Sequence, residues 1–206
     1  MPSKLIFFDF DGTIADSLEV AVAVLQEIAP ILKMATPTRA QVMDWKTKGI
    51  AELMRLMGIS LFQIPKIVKV ARESFHKRAG EVEIMAGMAE ILEDFAQKGY
   101  EMHIVSTNAE KNIRFILDKY QITAFSAIHT PSALFGKEAV IRKVRKKMGF
   151  APENTYMIGD EVRDIEAAQK AGVQAVAVTW GFNHKSLLVA AKPDFLIENV
   201  KDLAKF

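Results

Sequence analysis

Asp9 and Asp11 close the stretch LIFFDFDGT, which runs from Leu5 to Thr13. Four apolar residues lead straight into the first carboxylate, and the second follows two places on. An ionised carboxylate at the end of a buried strand needs a compensating charge, because burying it unpaired is very costly. Three other short stretches carry matching chemistry. HIVSTN supplies Ser106, Thr107 and Asn108, Lys137 opens the basic run KEAVIRKVRKK, and MIGDEVRD supplies Asp160 with Asp164 one helical turn later. Asp9 and Asp160 together make a hard, oxygen-rich site of the kind that holds magnesium beside a substrate phosphate. Ser106 offers a hydroxyl, the turn after it offers backbone N–H donors, and Lys137 offers a point charge. These are phosphate-binding groups. An aspartate facing a bound phosphoryl group can attack phosphorus, and a carboxyl two residues away can act first as acid and then as base.

Each piece has a plainer reading by itself. Asp11-Gly12 is also a common turn signal. Ser106 and Thr107 also suit the cap of a following helix, as does Asp160. What gives them weight together is the elements that carry them. Leu5–Phe8, Met102–Val105, Ala127–Ile128, Tyr156–Ile158, Ala175–Val178 and Phe195–Ile197 are short continuous apolar runs, as in strands buried on both faces of a parallel sheet. Helical patterns lie between most of them, over Gly87–Gln97, Glu110–Tyr120, Lys137–Met148 and Glu161–Ala171, with Gly99, Gly149 and Gly172 where C-terminal caps belong. The alternation predicts an α/β fold with a largely parallel, Rossmann-like sheet. Ligand sites in such sheets gather at the carboxyl ends of the strands, where Asp9, Ser106 and Asp160 all fall.

The rhythm breaks once. Between Ala15 and about Met85 the pattern is helical throughout, over Leu18–Met34, Thr38–Trp45, Ile50–Met57 and Pro65–Ala79, with no strand expected. Pro30 should kink or end the first helix, and Pro65 belongs in a first turn. The expected organisation is a core of residues 1–14 and 87–206 with an inserted helical cap of residues 15–86. The crossings near Ala15–Ser17 and Ile84–Gly87 are the expected hinges. Lys46, Lys48 and Arg55 in WKTKGIAELMR are candidates to meet an anionic substrate tail, against the alternative of ordinary surface charges. Trp45 is a candidate pocket wall, and Met43, Met54 and Met57 read as cap core.

The four motifs in order resemble the haloacid dehalogenase-like superfamily, in its phosphatase branch with a helical cap after the first strand. The resemblance rests on DFDGT and IADS at Asp9–Ser17, Ser106 in IVSTN, Lys137, and GDEVRD at Gly159–Asp164, and it covers nearly the whole chain. AVTWGFN and KPDFLI resemble phosphoglycolate phosphatase-type members. The resemblance implies Asp9 as nucleophile and magnesium ligand, and Asp11 as acid/base that lends its backbone carbonyl to the metal. It implies Asp160 as the second carboxylate ligand, and Asp164 as a support of the metal directly or through water. Ser106 and Lys137 would hold phosphoryl oxygens, and Lys137 would restrain the charge on Asp9. Thr13, Thr107, Asn108, Lys48 and Arg55 complete the expected phosphate and substrate contacts, Thr13 also supporting the first loop. One departure is that Glu138 follows Lys137 where many relatives have proline. Asp11 favours phosphoryl transfer over dehalogenation, since a halide leaving group needs no acid. The implied activity is a Mg2+-dependent phosphatase acting on a small phosphorylated metabolite. The alternatives are a β-phosphoglucomutase-like mutase and a non-catalytic binding protein on the same scaffold.

Composition is consistent with this. In 206 residues, half hydrophobic and one quarter charged, the net charge is +2 and there is no cysteine. That excludes disulfides and thiol chemistry and gives no strong field toward nucleic acid. RKVRKK reads as the solvated face of a helix, and the four histidines show no ligand spacing. No signal peptide or membrane span is expected, so the reading is a cytoplasmic monomer or homodimer with neither nucleic-acid nor membrane partner.

Overall fold

A computed structural model of the protein describes residues 3–131 and 136–206. The expected core range includes residues 1, 2 and 132–135, which lie outside the described residues.

The central strand β1 (Leu5–Phe8) is buried along its whole length. It pairs in parallel with β4 (Glu101–Val105) on one side and β6 (Thr155–Gly159) on the other, Phe8 standing level with Ile104 and Ile158. With β5 (Ala127–His129), β7 (Gln174–Val178) and β8 (Phe195–Ile197) they form a six-stranded parallel sheet in the order β5-β4-β1-β6-β7-β8. The alternation of β1 sends Ile6 and Phe8 to one face, and Leu5 and Phe7 to the other. The first face packs against α5 (Met88–Gln97) and α6 (Glu110–Lys119). The second packs against α7 (Lys137–Met148) and α8 (Val162–Ala171), with Leu188 of α9 (Lys185–Ala190). Each fully buried Phe or Ile of this strand contributes roughly 1.5–3 kcal/mol of hydrophobic stabilisation. That is why the run is continuous rather than alternating. The chain leaves β1 toward β4 and β5, then returns across it to β6, so β1 borders the switch point where α/β sheets bind ligands.

The insert is helical, as its pattern predicts: α1 (Leu18–Ile31), α2 (Arg39–Trp45), α3 (Ile50–Leu56) and α4 (Ile64–Arg78). Pro30 stands next to the last residue of α1, which stops at Ile31 and not at Met34. Pro65 lies in the first turn of α4, where its missing N–H costs nothing. Thr38 and Gln41 form a reciprocal capping box at the start of α2. One expectation is corrected. The crossings are not strand-free: β2 (Ala15–Asp16) and β3 (Glu83–Ile84) pair antiparallel. Two-residue strands are too short to show a period in sequence. The ribbon ties the way into the insert to the way out, and the Met85 N–H bonds the Ile14 carbonyl beside it.

Candidate active site

The parallel register brings Asp9, Ser106 and Asp160 to one edge, each just past the end of its strand. Asp9 is 1% exposed and its Oδ1 accepts the Phe10 N–H at 2.7 Å. The Lys137 ammonium, at the first position of α7, lies 2.7 Å from Asp9 Oδ2 and 2.6 Å from Asp164 Oδ1. The other oxygen of Asp164 accepts the Glu161 N–H at 3.1 Å, so this carboxylate also caps its own helix. Asp160 does not cap α8. Its oxygens accept the Thr13 hydroxyl and the Phe182 N–H, both at 2.6 Å. Thr13 is therefore a support of Asp160, with no exposed surface to offer a substrate.

Asp9, Asp160 and Asp164 each present an oxygen within 4.8 Å of the others', and all three are buried. Three carboxylates face one ammonium, and the neighbouring Arg163 and Glu161 neutralise one another at 2.8 Å. The arrangement carries excess negative charge in a dry place. Burial, then the neighbouring acids Glu161 and Asp9, push the Asp160 carboxyl well up from its ordinary range. Burial pushes Asp164 up to about 6 against the pull of Lys137, with Asp9 adding to the rise. Burial opposes the charge on Lys137, but Asp164 and Asp9 outweigh it and its pKa is raised. A divalent cation is the group that such a donor set fits.

Asp9 and Asp11 open onto a cavity of about 410 Å³ whose core-side wall also includes Ser106, Thr107 and Asn108. Lys137, Asp160 and Asp164 are not on that wall; they stand behind Asp9. Burial, then the charge on Asp9, raises the Asp11 carboxyl to about 6. Asn108 partly offsets this, its amide donating to both Asp11 oxygens at 3.2 and 2.9 Å. Asn108 is in turn held: its N–H bonds Ser106 Oγ at 3.1 Å, and its Oδ1 accepts from Ala109 N and Asn112 Nδ2. Ser106 and Thr107 do not cap α6, whose N-cap is Ala109.

The expected cap contacts fare differently. Lys48 pairs with Asp44 at 3.0 Å and Arg55 is exposed; neither lines the cavity at Asp9 and Asp11 or the second one beside it. Lys46 and Trp45 line that second cavity, of about 330 Å³, where Met54 and Met57 also stand. The basic residue that does reach the first cavity from the insert is Arg72 of α4. Its Nε donates to the Thr107 carbonyl at 2.7 Å and its Nη2 to that of Pro131 at 3.4 Å. Sequence reading passed over Arg72, Ser17 and Phe182 as wall residues. The signal for Arg72 was its place beside Ala71, on the helix face that also carries Val68 and Phe75.

Comparison with known proteins places the chain in a family. Residues 6–178 match the family model described as haloacid dehalogenase-like hydrolase. The chain is 32% identical over 204 residues to a phosphoglycolate phosphatase of Synechococcus elongatus, covering 97% of this chain and 95% of that one. It is 27% identical over 221 residues to a phosphoglycolate phosphatase of Haemophilus influenzae, covering 97% and 96%. A haloacid dehalogenase-like family hydrolase from Streptococcus pneumoniae superposes with a TM-score of 0.79 at 23% identity, over 98% of this chain and 97% of that one. A hydrolase from Pseudomonas syringae gives 0.77 at 20% identity, over 99% and 97%. With the family model spanning most of its length and the α/β architecture shared, the chain belongs to the haloacid dehalogenase-like hydrolases.

Proposed function

We propose that the protein is a magnesium-dependent phosphatase that hydrolyses a small phosphate monoester through an aspartyl-phosphate on Asp9. The observation that carries this reading is the pairing of Asp9 and Asp11 on one cavity wall. Asp9 is backed by Lys137, and Asp11 is raised toward a pKa suited to an acid/base.

In the first step an Asp9 oxygen forms a bond to phosphorus while the P–O bond to the alcohol breaks. The leaving oxygen takes the proton of Asp11. In the second step water attacks the aspartyl-phosphate, Asp11 takes a proton from that water, and the P–O bond to Asp9 breaks. Inorganic phosphate leaves and Asp9 is regenerated. Ser106 and the Thr107 N–H hold phosphoryl oxygens, and Lys137 steadies Asp9 as its charge is lost and regained. Asp9, Asp160 and Asp164, with the Asp11 carbonyl, would hold the magnesium. When bound it neutralises their charge and that of the phosphoryl oxygens. Residues 15–86 act as a cap that shields the reaction from bulk water. The Arg72–Thr107 bond and that from the His184 N–H to the Lys46 carbonyl, both 2.7 Å, hold it against the core.

The test is phosphate release from a panel of phosphorylated metabolites, with phosphoglycolate included on the strength of the relatives' names. Turnover with Mg2+, silenced by EDTA and restored by Mg2+, is expected. Full activity after thorough chelation, or no turnover of any ester, refutes the reading.

A further inference from the structure

The wall of the active-site cavity opposite Asp9 is built by two helices of the insert. Val24, Leu25 and Ile28 of α1 face Val68, Ala71 and Phe75 of α4. The spacings are helical, so each helix presents one apolar stripe. At the core edge both stripes border the space of about 410 Å³, while Val24, Ile28 and Phe75 also belong to the packed core. Leu25, Ile67 and Val68 also line the second cavity, which Trp45 and Met54 border. Among the residues lining the first cavity, Arg72 and Arg163 are the basic ones. Arg163 is paired with Glu161, and Arg72 has its Nε and Nη2 on two backbone carbonyls. Lys48 and Arg55, the residues expected to read an anionic tail, are elsewhere. The phosphoryl group must sit at the polar floor, against Asp9, Asp11 and Ser106. Whatever it is esterified to is therefore directed into the apolar space above.

Building on the phosphatase reading, we infer that the substrate is the phosphate monoester of an apolar alcohol larger than two carbons. The alcohol lies between α1 and α4, and it is preferred over a short ester ending in a carboxylate. An apolar leaving group gains from every methylene it removes from water there. A carboxylate would lose its hydration against Val24, Ile28 and Phe75.

The experiment is the Mg2+-supported kcat/KM for methyl, butyl and hexyl phosphate, alongside phosphoglycolate and 4-nitrophenyl phosphate. The alkyl esters share nearly the same leaving-group basicity, so the series reads the fit of the alcohol and not the chemistry. The expected gain is about fourfold per methylene, hence on the order of fiftyfold from methyl to butyl phosphate. Phosphoglycolate should fall below butyl phosphate. Ala71→Leu, which fills the space, should lower the hexyl-to-methyl ratio by about tenfold or more. The wild-type series stands without that variant should it fail to fold. A flat series, or phosphoglycolate ahead of butyl phosphate, overturns this inference and leaves the phosphatase reading intact. No Mg2+-dependent phosphate release from any ester, the activated aryl one included, defeats both.

Discussion

The Asn108 side-chain amide spans both oxygens of the Asp11 carboxylate, at 2.9 and 3.2 Å. It is aimed there by Asn112, whose own amide also donates to the Arg72 carbonyl in the insert at 3.2 Å. Asn108 therefore stabilises the ionised form of the residue assigned as acid. Without it the Asp11 pKa moves further up from about 6. Formation of the aspartyl-phosphate needs protonated Asp11, so kcat/KM falls as pH rises through that value. Asn108→Ala is expected to carry this alkaline limb to higher pH and to lower kcat by roughly 10- to 100-fold, as the carboxyl loses its aim. The pH–rate profile with Mg2+ checks both, and a limb that stays in place removes Asn108 from this role.

Asp9→Asn keeps the shape of the side chain but removes its charge. Turnover should drop on the order of 10⁴-fold or more, since no covalent intermediate can form. The fold should survive, because Lys137 keeps Asp164 as a partner at 2.6 Å. The measurement is phosphate release beside a thermal melt. Wild-type turnover in a folded variant contradicts the assignment of the nucleophile.

Removing the metal should make stability depend on pH in a defined direction. Folding raises Asp11 and Asp164 to about 6 from an ordinary value of 3.8. Carboxyls raised by folding contribute stability that is fully present below the ordinary value. That stability is lost as pH climbs through the folded value. In EDTA the melting temperature should therefore decline between about pH 4 and pH 6–7. A cation binds the ionised forms, so Mg2+ should do little at pH 4 and raise the midpoint by about 5 °C at pH 7. Calorimetry with and without Mg2+ reads this, and a gap that is the same at both pH values counts against a metal site on these carboxylates.

The parts of this molecule that were legible in the sequence are those whose chemistry is local. LIFFDFDGT declares a buried strand ending in carboxylates, and the neighbouring strand ends place Ser106 and Asp160 beside them once the sheet is parallel. Thr13 was legible as a loop residue, but its bond to Asp160, 147 positions away, needed the fold. A charge on an amphipathic insert gives no direction, so the places of Lys48 and Arg55 needed the fold. Asp44, in the last turn of α2 and four residues before Lys48, was a partner near at hand. Arg72 was overlooked for the converse reason. It looked like one more surface cation on α4, and only the packing of that helix over Thr107 turns it inward.

Gly181 separates packing from backbone freedom. A Cβ there would overlap the carboxylate of Asp160, although the Gly181 backbone is not in the left-handed region. Gly181→Ala must therefore push Asp160 away from Thr13, Asp9 and Asp164. It is expected to raise the Mg2+ concentration for half-maximal activity by about tenfold. The strain should cost about 2 kcal/mol, or roughly 4–8 °C in the melting temperature. Gly99 is the control. Its φ of +69° strains any side chain, yet nothing lies within 4 Å of a Cβ there. Gly99→Ala should thus destabilise by about 1 kcal/mol and leave the Mg2+ requirement where it was. If both variants shift the Mg2+ dependence equally, or Gly181→Ala shifts only the melt, Asp160 is not the ligand that its surroundings imply.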